Sequence, residues 1–470
     1  MKRFWLVLLS LGLIMAFSAS AFAVDVKVSG EFYAAGLYLN KTSVNNGWGN
    51  EPNDSPSTAF FFQRLRVGTD VIVSPCLKLV TRFDALERIW GGERGFEYDS
   101  QSVQSRFENE NIAFDLAYID YVSPIGLFRV GYQPDYEWGT VFDNRTTGPT
   151  AGMITYIVPV GPVTIVAQYA KEVDNSNSAV TSSSATDLDY DSYRLGAIFN
   201  FKGDKANGEV GALLLYNRNA ENKANTGGPY DVGYLQRVYK LAPYFKAHIG
   251  PIALQGEFEY TFGDAVRSET PDLFLVGGQP DMSVSAISVF LDATVNLGMV
   301  YFGGSFAYLS GDDPGTKDKV EGGAAVASAG LDWNPCLILF NTETTAYWVG
   351  NIDGHTESSV DSEMSNAWFV QGRVGMKPIP QLDIMLSASY AVADKKPLNP
   401  VHPGTHTFAN GTYGTEIDLT GNYKITNNLS YMLGVGYLFT GDYFKGIDLP
   451  GEDYKTQDDF MIINKLTLTF

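Results

Sequence analysis

The sequence predicts an all-β protein, a transmembrane antiparallel β-barrel of about 16–20 strands. Three observations support this class. Apolar and polar residues alternate over segments of about ten residues, short turns alternate with long polar stretches, and an alternating last strand ends in Phe470. Strands that separate lipid from a water-filled lumen carry this pattern, with short periplasmic turns and long extracellular loops. The segment count favours about 18–20 strands.

The first 23 residues have the layout of a secretory signal peptide. Lys2 and Arg3 form the charged region, residues 4–17 form the apolar stretch, and Ala21 and Ala23 frame the cleavage site. We therefore expect residues 1–23 to be removed and residues 24–470 to form a single barrel domain. No later segment has the roughly 18 consecutive apolar residues that a spanning helix needs.

Two segments near the carboxyl end show the alternation most clearly. In residues 429–440, large apolar side chains occupy nearly every second position. In the preceding segment, Ile417 and Leu419 lie on one face, whereas Glu416 and Asp418 lie on the other. In a barrel, the first face contacts lipid and the second face lines the lumen.

Short connections occur at nine places along the chain, and long polar stretches separate them. Nine turns and two terminal strands predict about 20 strands, or 16 or 18 if one or two hairpins are misassigned, and the number is even in this class of barrel. The predicted turns are residues 74–75, 123–126, 158–162, 202–207, 249–251, 297–299, 334–335, 378–381 and 426–428.

The carboxyl-terminal segment carries a more specific signal. Phe460, Ile462, Leu466 and Leu468 alternate along it, and the chain ends on Phe470. This ending resembles the assembly signal of outer-membrane porins. We expect the last strand to pair with the first strand, because that pairing removes both open edges of the sheet.

Composition and motifs exclude several classes of function. The formal net charge of −20 argues against nucleic acid as a partner. The chain has four histidines and two cysteines, and it lacks a P-loop, a G-x-S-x-G motif and a haem-attachment motif. We therefore expect no cofactor, no metal site and no enzymatic activity. Cys76 and Cys336 are expected to be free thiols, although export also permits a disulfide between them.

Charged residues on the predicted inner face of the early strands are the candidate functional residues, because selectivity in a pore is electrostatic. The alternation directs five arginines into the lumen as a basic wall: Arg64, Arg66, Arg82, Arg88 and Arg129. Asp70 and Asp84 lie on the same face. Ordinary ion pairs with no role in selectivity are therefore the alternative interpretation of these arginines.

Residues 135–144, Asp-Tyr-Glu-Trp-Gly-Thr-Val-Phe-Asp-Asn, are rich in aromatic residues for an outer loop. Trp138 and Phe142 favour an inward fold, since a solvated loop gains little from large aromatic side chains. The layout resembles the general trimeric porins of Gram-negative bacteria, and it looks closest to porins of sulfate-reducing and related bacteria. The resemblance covers the signal peptide, the strand rhythm, residues 131–133 before the loop, and Phe470.

The resemblance implies a homotrimeric outer-membrane porin that contacts lipid and lipopolysaccharide and passes small hydrophilic solutes by passive diffusion. It also implies that the acids of this loop, Asp135, Glu137 and Asp143, face Arg64, Arg66, Arg82 and Arg129 across a constriction. The predicted strand number exceeds the usual number in that family, so the constriction could be wider or differently lined. The alternatives are a substrate-selective channel for sugars or anions, a barrel sheath for an electron-transfer conduit, and a barrel enzyme. Four histidines fit the enzyme poorly.

Overall fold

The described part of the chain is built almost entirely of β-strands. A computed structural model describes residues 24–45, 55–91, 112–135, 137–142, 144, 150–175, 187–223, 233–268, 281–322, 333–354, 358–396, 411–445 and 455–470. The predicted signal peptide, residues 1–23, and Asp143 lie outside these residues. The strands are β1 (Asp25–Leu39), β2 (Thr58–Ser74), β3 (Leu77–Ile89), β4 (Ala113–Ser123), β5 (Gly126–Pro134), β6 (Thr150–Val160), β7 (Val163–Val173), β8 (Tyr190–Lys202), β9 (Ala206–Asn219), β10 (Tyr234–Ile249), β11 (Ile252–Ser268), β12 (Met282–Leu297), β13 (Val300–Leu309), β14 (Lys319–Val320), β15 (Ala367–Ile379), β16 (Leu382–Ala393), β17 (Thr412–Lys424), β18 (Leu429–Thr440) and β19 (Asp459–Thr469).

Helical structure is confined to short segments in the described residues. A 3-10 turn covers Glu221–Lys223, and a π-helical turn covers Thr342–Ala346. None of the helices described here is both long enough and apolar enough to cross a membrane.

Eighteen of the strands form one closed antiparallel barrel. The exception is β14, which pairs in parallel with β12, while β13 pairs directly with β15. The barrel closes where β1 pairs with β19, and the main chains of Gly30 and Phe470 exchange two hydrogen bonds of 2.8 and 3.0 Å. The predicted pairing of the terminal strands is confirmed, and it removes both open edges of the sheet.

Eight of the nine predicted short turns connect consecutive strands as expected. The turn predicted at residues 334–335 is wrong. It lies within the long connection between β13 and β15, where Gln371 donates a side-chain hydrogen bond of 2.6 Å to the carbonyl of Pro335. The apolar residues that follow are buried inside the barrel, so their hydrophobicity does not mark a strand facing lipid. Without this hairpin, the barrel has 18 strands instead of the roughly 20 that nine turns would give.

Side chains along each strand alternate between the outer and the inner face of the wall, as predicted. In β18, the side chains of Leu433, Val435 and Tyr437 are exposed, whereas Gly434 and Gly436 are buried. The same alternation repeats from strand to strand, so large apolar side chains cover the outside of the barrel. A contiguous apolar surface of this size is unstable in water and matches hydrocarbon.

A row of aromatic rings runs across the outside of β7 to β11. Tyr169, Tyr193, Tyr216, Tyr239 and Phe262 follow one another with ring centroids 4.8–6.1 Å apart. Rings of this kind form the girdles of outer-membrane barrels at the boundary between lipid and water.

The two cysteines are free, as expected. Cys76 is exposed in the turn between β2 and β3, and Cys336 is buried inside the barrel. We predict that a maleimide modifies only Cys76 in the folded protein, because reagent cannot reach a thiol whose residue is 3% exposed. Mass spectrometry before and after unfolding measures this, with Cys76→Ser as the control. Modification of Cys336 in the folded barrel would contradict the placement of its loop.

Candidate functional site

The loop between β5 and β6, called loop 3 here (residues 135–149), folds into the barrel in its described part. Trp138 is buried and donates a hydrogen bond of 3.0 Å from its ring nitrogen to the carbonyl of Ala242 on β10. Its ring packs edge-on against Tyr244 at 5.4 Å. Gly196 on β8 leaves room for the ring, because a Cβ there would lie 2.7 Å from it. Trp138 and Phe142, the aromatic residues on which the prediction of an inward fold was based, are therefore both buried inside the barrel.

One carboxylate of β11 holds the tip of loop 3. The Oε2 atom of Glu257 accepts hydrogen bonds from the main-chain amides of Thr140 and Val141, at 2.6 and 2.8 Å, and from the Thr140 hydroxyl at 2.7 Å. Glu257 is 4% exposed, so these donors replace the water that the charge would otherwise bind. The sequence does not reveal this role, because Glu257 occupies an inward position of the strand just as any other lumen carboxylate does.

The loop between β13 and β15, called loop 7 here (residues 310–366), also folds inward over its described residues 333–354 and 358–366. The main-chain amides of Ile338 and Leu339 donate hydrogen bonds of 2.7 Å each to the two carboxylate oxygens of Glu416 on β17. Asn341 caps the π-helical turn by accepting a hydrogen bond of 2.9 Å from the amide of Thr344. Loop 7 is thus fixed to the wall by a second inward glutamate.

Apolar packing adds to the attachment of loop 7. Phe340 packs edge-on against Phe369 of β15 and Tyr413 of β17, and Trp348 lies 4.5 Å from the ring of Phe62 on β2. Buried aromatic residues of this kind contribute large apolar areas and favourable ring contacts. A cluster of apolar residues within an otherwise polar loop is the sequence signal that could have revealed this inward fold.

Loop 7 also contains a buried carboxyl group that organises its own turns. Asp361 accepts hydrogen bonds from the Ile352 amide at 3.0 Å and from the Ser359 hydroxyl at 2.6 Å. Burial raises the pKa of the Asp361 carboxyl above its usual value. The inward part of loop 7 is therefore a folded unit with its own internal hydrogen bonds.

The two inward loops both contact one aromatic side chain of the barrel wall. Phe142 of loop 3 and Trp333 of loop 7 both pack edge-on against Phe290 of β12, with centroid distances of 6.5 and 4.9 Å. Loop 3 and loop 7 therefore lie next to each other at β12, and together they narrow the lumen there.

Four of the five predicted arginines lie on the inner face, and each of them has carboxylates within 4 Å. Arg66 and Asp84 form the tightest pair, with two hydrogen bonds of 2.6 and 2.7 Å. The other pairs are Arg64 with Glu31 and Glu87 at 3.8 Å each, Arg82 with Asp115 at 3.5 Å, and Arg129 with Asp120 at 2.9 Å. These contacts match the ion pairs of the alternative interpretation, and a role in selectivity stays a prediction.

The inward placement of Arg88 is wrong. A β-bulge in β3, where Leu86 has a φ of 51°, adds one residue and shifts the alternation. The register then places Arg88 opposite Gln63, on the face that carries the exposed Trp90, and Glu87 takes the inward position. Strand alternation alone cannot reveal such a bulge.

The loop acids do not face the arginine wall as a group. Asp135 forms a buried ion pair with Arg194 of β8, which also contacts Glu172 at 3.2 Å. Glu137 approaches Arg129 at 3.8 Å, and Asp143 lies outside the described residues. Glu137 therefore contacts Arg129 directly, whereas Asp135 uses an arginine that the prediction did not include, and a constriction between loop acids and arginines stays a prediction.

Two arginines of the wall rest on aromatic rings. The guanidinium carbon of Arg64 lies 5.1 Å from the ring of Tyr33, and that of Arg129 lies 4.7 Å from the ring of Tyr118. A cation–π contact holds each guanidinium in a defined orientation beside its carboxylates. The inner wall thus presents oriented positive groups together with aromatic faces.

No protein-family model and no curated protein matches the chain. Solved structures of outer-membrane channels do match. Pseudomonas aeruginosa OccK2 (OpdF) in complex with glucuronate has 11% identity and a TM-score of 0.51, covering 96% of this chain and 99% of that chain. The OccK2 structure alone has 11% identity and a TM-score of 0.50, covering 94% and 98%. Pseudomonas aeruginosa OccK9 (OpdG) has 13% identity and a TM-score of 0.49, covering 94% and 99%.

At this identity, the likeness to OccK2 shows the fold, which is that of outer-membrane channels. The barrel and its apolar outer surface place the chain in the bacterial outer membrane, as predicted. The narrower resemblance to general trimeric porins and to porins of sulfate-reducing bacteria stays a prediction.

Proposed function

We propose that the protein is an outer-membrane porin that admits small hydrophilic solutes and ions by passive diffusion. The observation that carries the proposal is the pair of inward loops, each held to the wall by a buried glutamate, Glu257 or Glu416. These loops narrow a lumen that also carries ion pairs such as Arg66 with Asp84. Such a channel selects by size and charge, and the proposal includes no enzymatic step and no cofactor.

A second candidate function is selective passage of small carboxylates. Arg64 has only long contacts of 3.8 Å with its acids, and its guanidinium rests on Tyr33. A solute carboxylate can replace such contacts with shorter, charge-assisted hydrogen bonds. OccK2, which has the same fold, was solved in complex with glucuronate.

Liposome swelling separates the two candidates when solutes of equal size and different charge are compared. Glucose, glucosamine and glucuronate form such a set. Passive diffusion predicts that all three permeate without saturation, whereas selective passage predicts faster, saturable uptake of glucuronate. Absence of swelling with every solute, from a barrel that shows heat-modifiable gel mobility, would overturn the proposal of a channel.

The proposal includes the homotrimer implied by the resemblance, with its outer surface in contact with lipid and lipopolysaccharide. The apolar outer face, with exposed residues such as Leu433 and Val435, supplies the contact with lipid. Native mass spectrometry in mild detergent tests the assembly. A trimeric mass supports this part of the proposal, and a monomer at all concentrations overturns it.

Replacing both Arg64 and Arg82 with glutamate is predicted to raise the preference for cations. A unit charge about 4 Å from an ion contributes about 1 kcal/mol even in bulk water. We therefore expect the cation-to-anion permeability ratio to rise roughly fivefold or more. The reversal potential across a planar bilayer in a KCl gradient measures this ratio. Lys205→Glu, in the exposed turn between β8 and β9, is the matched control, and an unchanged ratio in the double variant would count against a role of this wall.

A further inference from the structure

Three potential metal ligands meet where loop 7 contacts β17. Cys336 of the loop and Glu416 and Asp418 of the strand each offer one ligand atom, and these atoms lie within 4.8 Å of one another. Glu416 and Asp418 are two residues apart on a strand, so both side chains point to the inner face. All three residues are buried, with at most 3% of their surface exposed.

The two carboxylates lack a compensating basic side chain among the described residues. The ion pairs of lysines and arginines in the described part of the chain are formed with other acids, such as Asp84, Asp135 and Asp292. Two neighbouring buried carboxylates without a counter-charge carry a large desolvation cost. Glu416 accepts two main-chain hydrogen bonds, which offset only part of that cost.

One oxygen of the cluster has no hydrogen-bond partner. The Oδ1 atom of Asp418 is buried without one, and Asp418 is 3% exposed. Gly436 on β18 borders the same space, because a Cβ there would lie 2.8 Å from Asp418 Oδ1 and 3.4 Å from Glu416 Oε1. The missing side chain at Gly436 therefore lets both carboxylates pack against β18 at the same point. A buried carboxylate oxygen without a main-chain or hydroxyl donor needs either a bound cation or a proton shared with the neighbouring carboxyl group. The sulfur of Cys336 beside these oxygens favours the cation.

We propose that Cys336, Glu416 and Asp418 bind one divalent transition-metal ion, with zinc as the best chemical match. Zinc takes thiolate sulfur at about 2.3 Å and carboxylate oxygen at about 2.0–2.2 Å. A thiolate ligand disfavours calcium and magnesium, which prefer oxygen ligands. On binding, the Cys336 thiol releases its proton to solvent and the sulfur bonds to the metal. Three protein ligands leave a fourth position for water.

The proposed ion links a loop to the wall. Cys336 belongs to loop 7, and the other two ligands belong to β17, so one ion fixes the loop at the same point as the hydrogen bonds to Glu416. The proposal departs from the expectation from sequence that the chain binds no metal. That expectation could not weigh this cluster, because Cys336 is 80 residues from Glu416 along the chain and only the inward fold of loop 7 brings them together.

The test uses the full chain in detergent with Cys76→Ser, which leaves Cys336 as the single thiol. After treatment with a chelator, the folded protein is titrated with Co²⁺. We expect a thiolate-to-cobalt absorption band in the near ultraviolet, which Zn²⁺ then displaces. Elemental analysis of the zinc-loaded protein is expected to find one bound ion per chain.

Adding Cys336→Ser or Asp418→Asn is expected to abolish the band and the bound ion, while heat-modifiable gel mobility reports that each barrel is folded. If Cys336→Ser does not fold, the isosteric Asp418→Asn variant decides. Absence of a thiolate band in the folded Cys76→Ser protein overturns the proposal and indicates a proton shared between the carboxylates. Equal zinc content in all variants also overturns it, because the ion would then bind elsewhere.

Discussion

Replacing Glu257 with alanine is expected to release loop 3 and to raise the single-channel conductance. The carboxylate accepts two main-chain amides and the Thr140 hydroxyl, at 2.6–2.8 Å. Hydrogen bonds to a charged group contribute about 1.5–3 kcal/mol each, so losing the set costs the inward position at least about 3 kcal/mol. That loss corresponds to roughly a 100-fold shift in population towards an open loop. Recordings in planar bilayers measure the conductance.

The matched control is Asp292→Ala, which also removes one inward carboxylate but is bonded to Ser305 and Arg373 of the wall. A second variant reaches the same loop by another route. Gly196→Val places a Cβ 2.7 Å from the Trp138 ring and should displace it. If neither Glu257→Ala nor Gly196→Val changes the conductance more than Asp292→Ala does, loop 3 does not limit the channel.

Replacing Leu339 with aspartate is expected to detach loop 7 from the wall. Leu339 is fully buried, and its amide donates to the carboxylate of Glu416. The new carboxylate would be buried beside an existing one, at a cost of several kcal/mol through desolvation and like-charge repulsion. Because loop 7 can leave the wall without breaking the hydrogen bonds between the strands, we expect the loop rather than the barrel to unfold. Larger conductance steps and faster proteolysis within residues 333–364 are the expected results.

The conservative variant Leu339→Met keeps an apolar side chain of similar volume and should retain the parent conductance. Heat-modifiable gel mobility reports whether the barrel itself remains closed. A folded Leu339→Asp barrel with the conductance and protease resistance of the parent would show that loop 7 is not held by this contact.

The barrel itself was predictable from sequence because one physical rule acts on every strand. Alternation in β18 and β17 separates a face for lipid from a face for the lumen, and it identified Glu416 and Asp418 as inward residues. The inward fold of loop 3 was also predictable, because Trp138 and Phe142 are too apolar for a solvated loop. Periodicity and hydrophobicity are local properties of a sequence, so local inspection finds them.

The errors arise where the outcome depends on contacts between distant parts of the chain. Arg88 faces outward because of the bulge at Leu86, which the pattern of residue types does not show. The pattern predicts a hairpin turn at residues 334–335 because the apolar residues after them resemble a strand, but those residues are buried inside the barrel. Asp135 pairs with Arg194 rather than with the arginine wall, and that choice depends on where loop 3 lies along β8.

Channel function requires a continuous water-filled path through the closed barrel, past loop 3 and loop 7. Single-channel recording across a planar bilayer, with purified protein of confirmed heat-modifiable mobility, tests this most directly. We predict discrete current steps proportional to voltage, and larger steps when Glu257→Ala and Leu339→Asp are combined. A folded barrel that inserts into the bilayer and carries no current, alone or with both loops released, would show that the protein is not a channel.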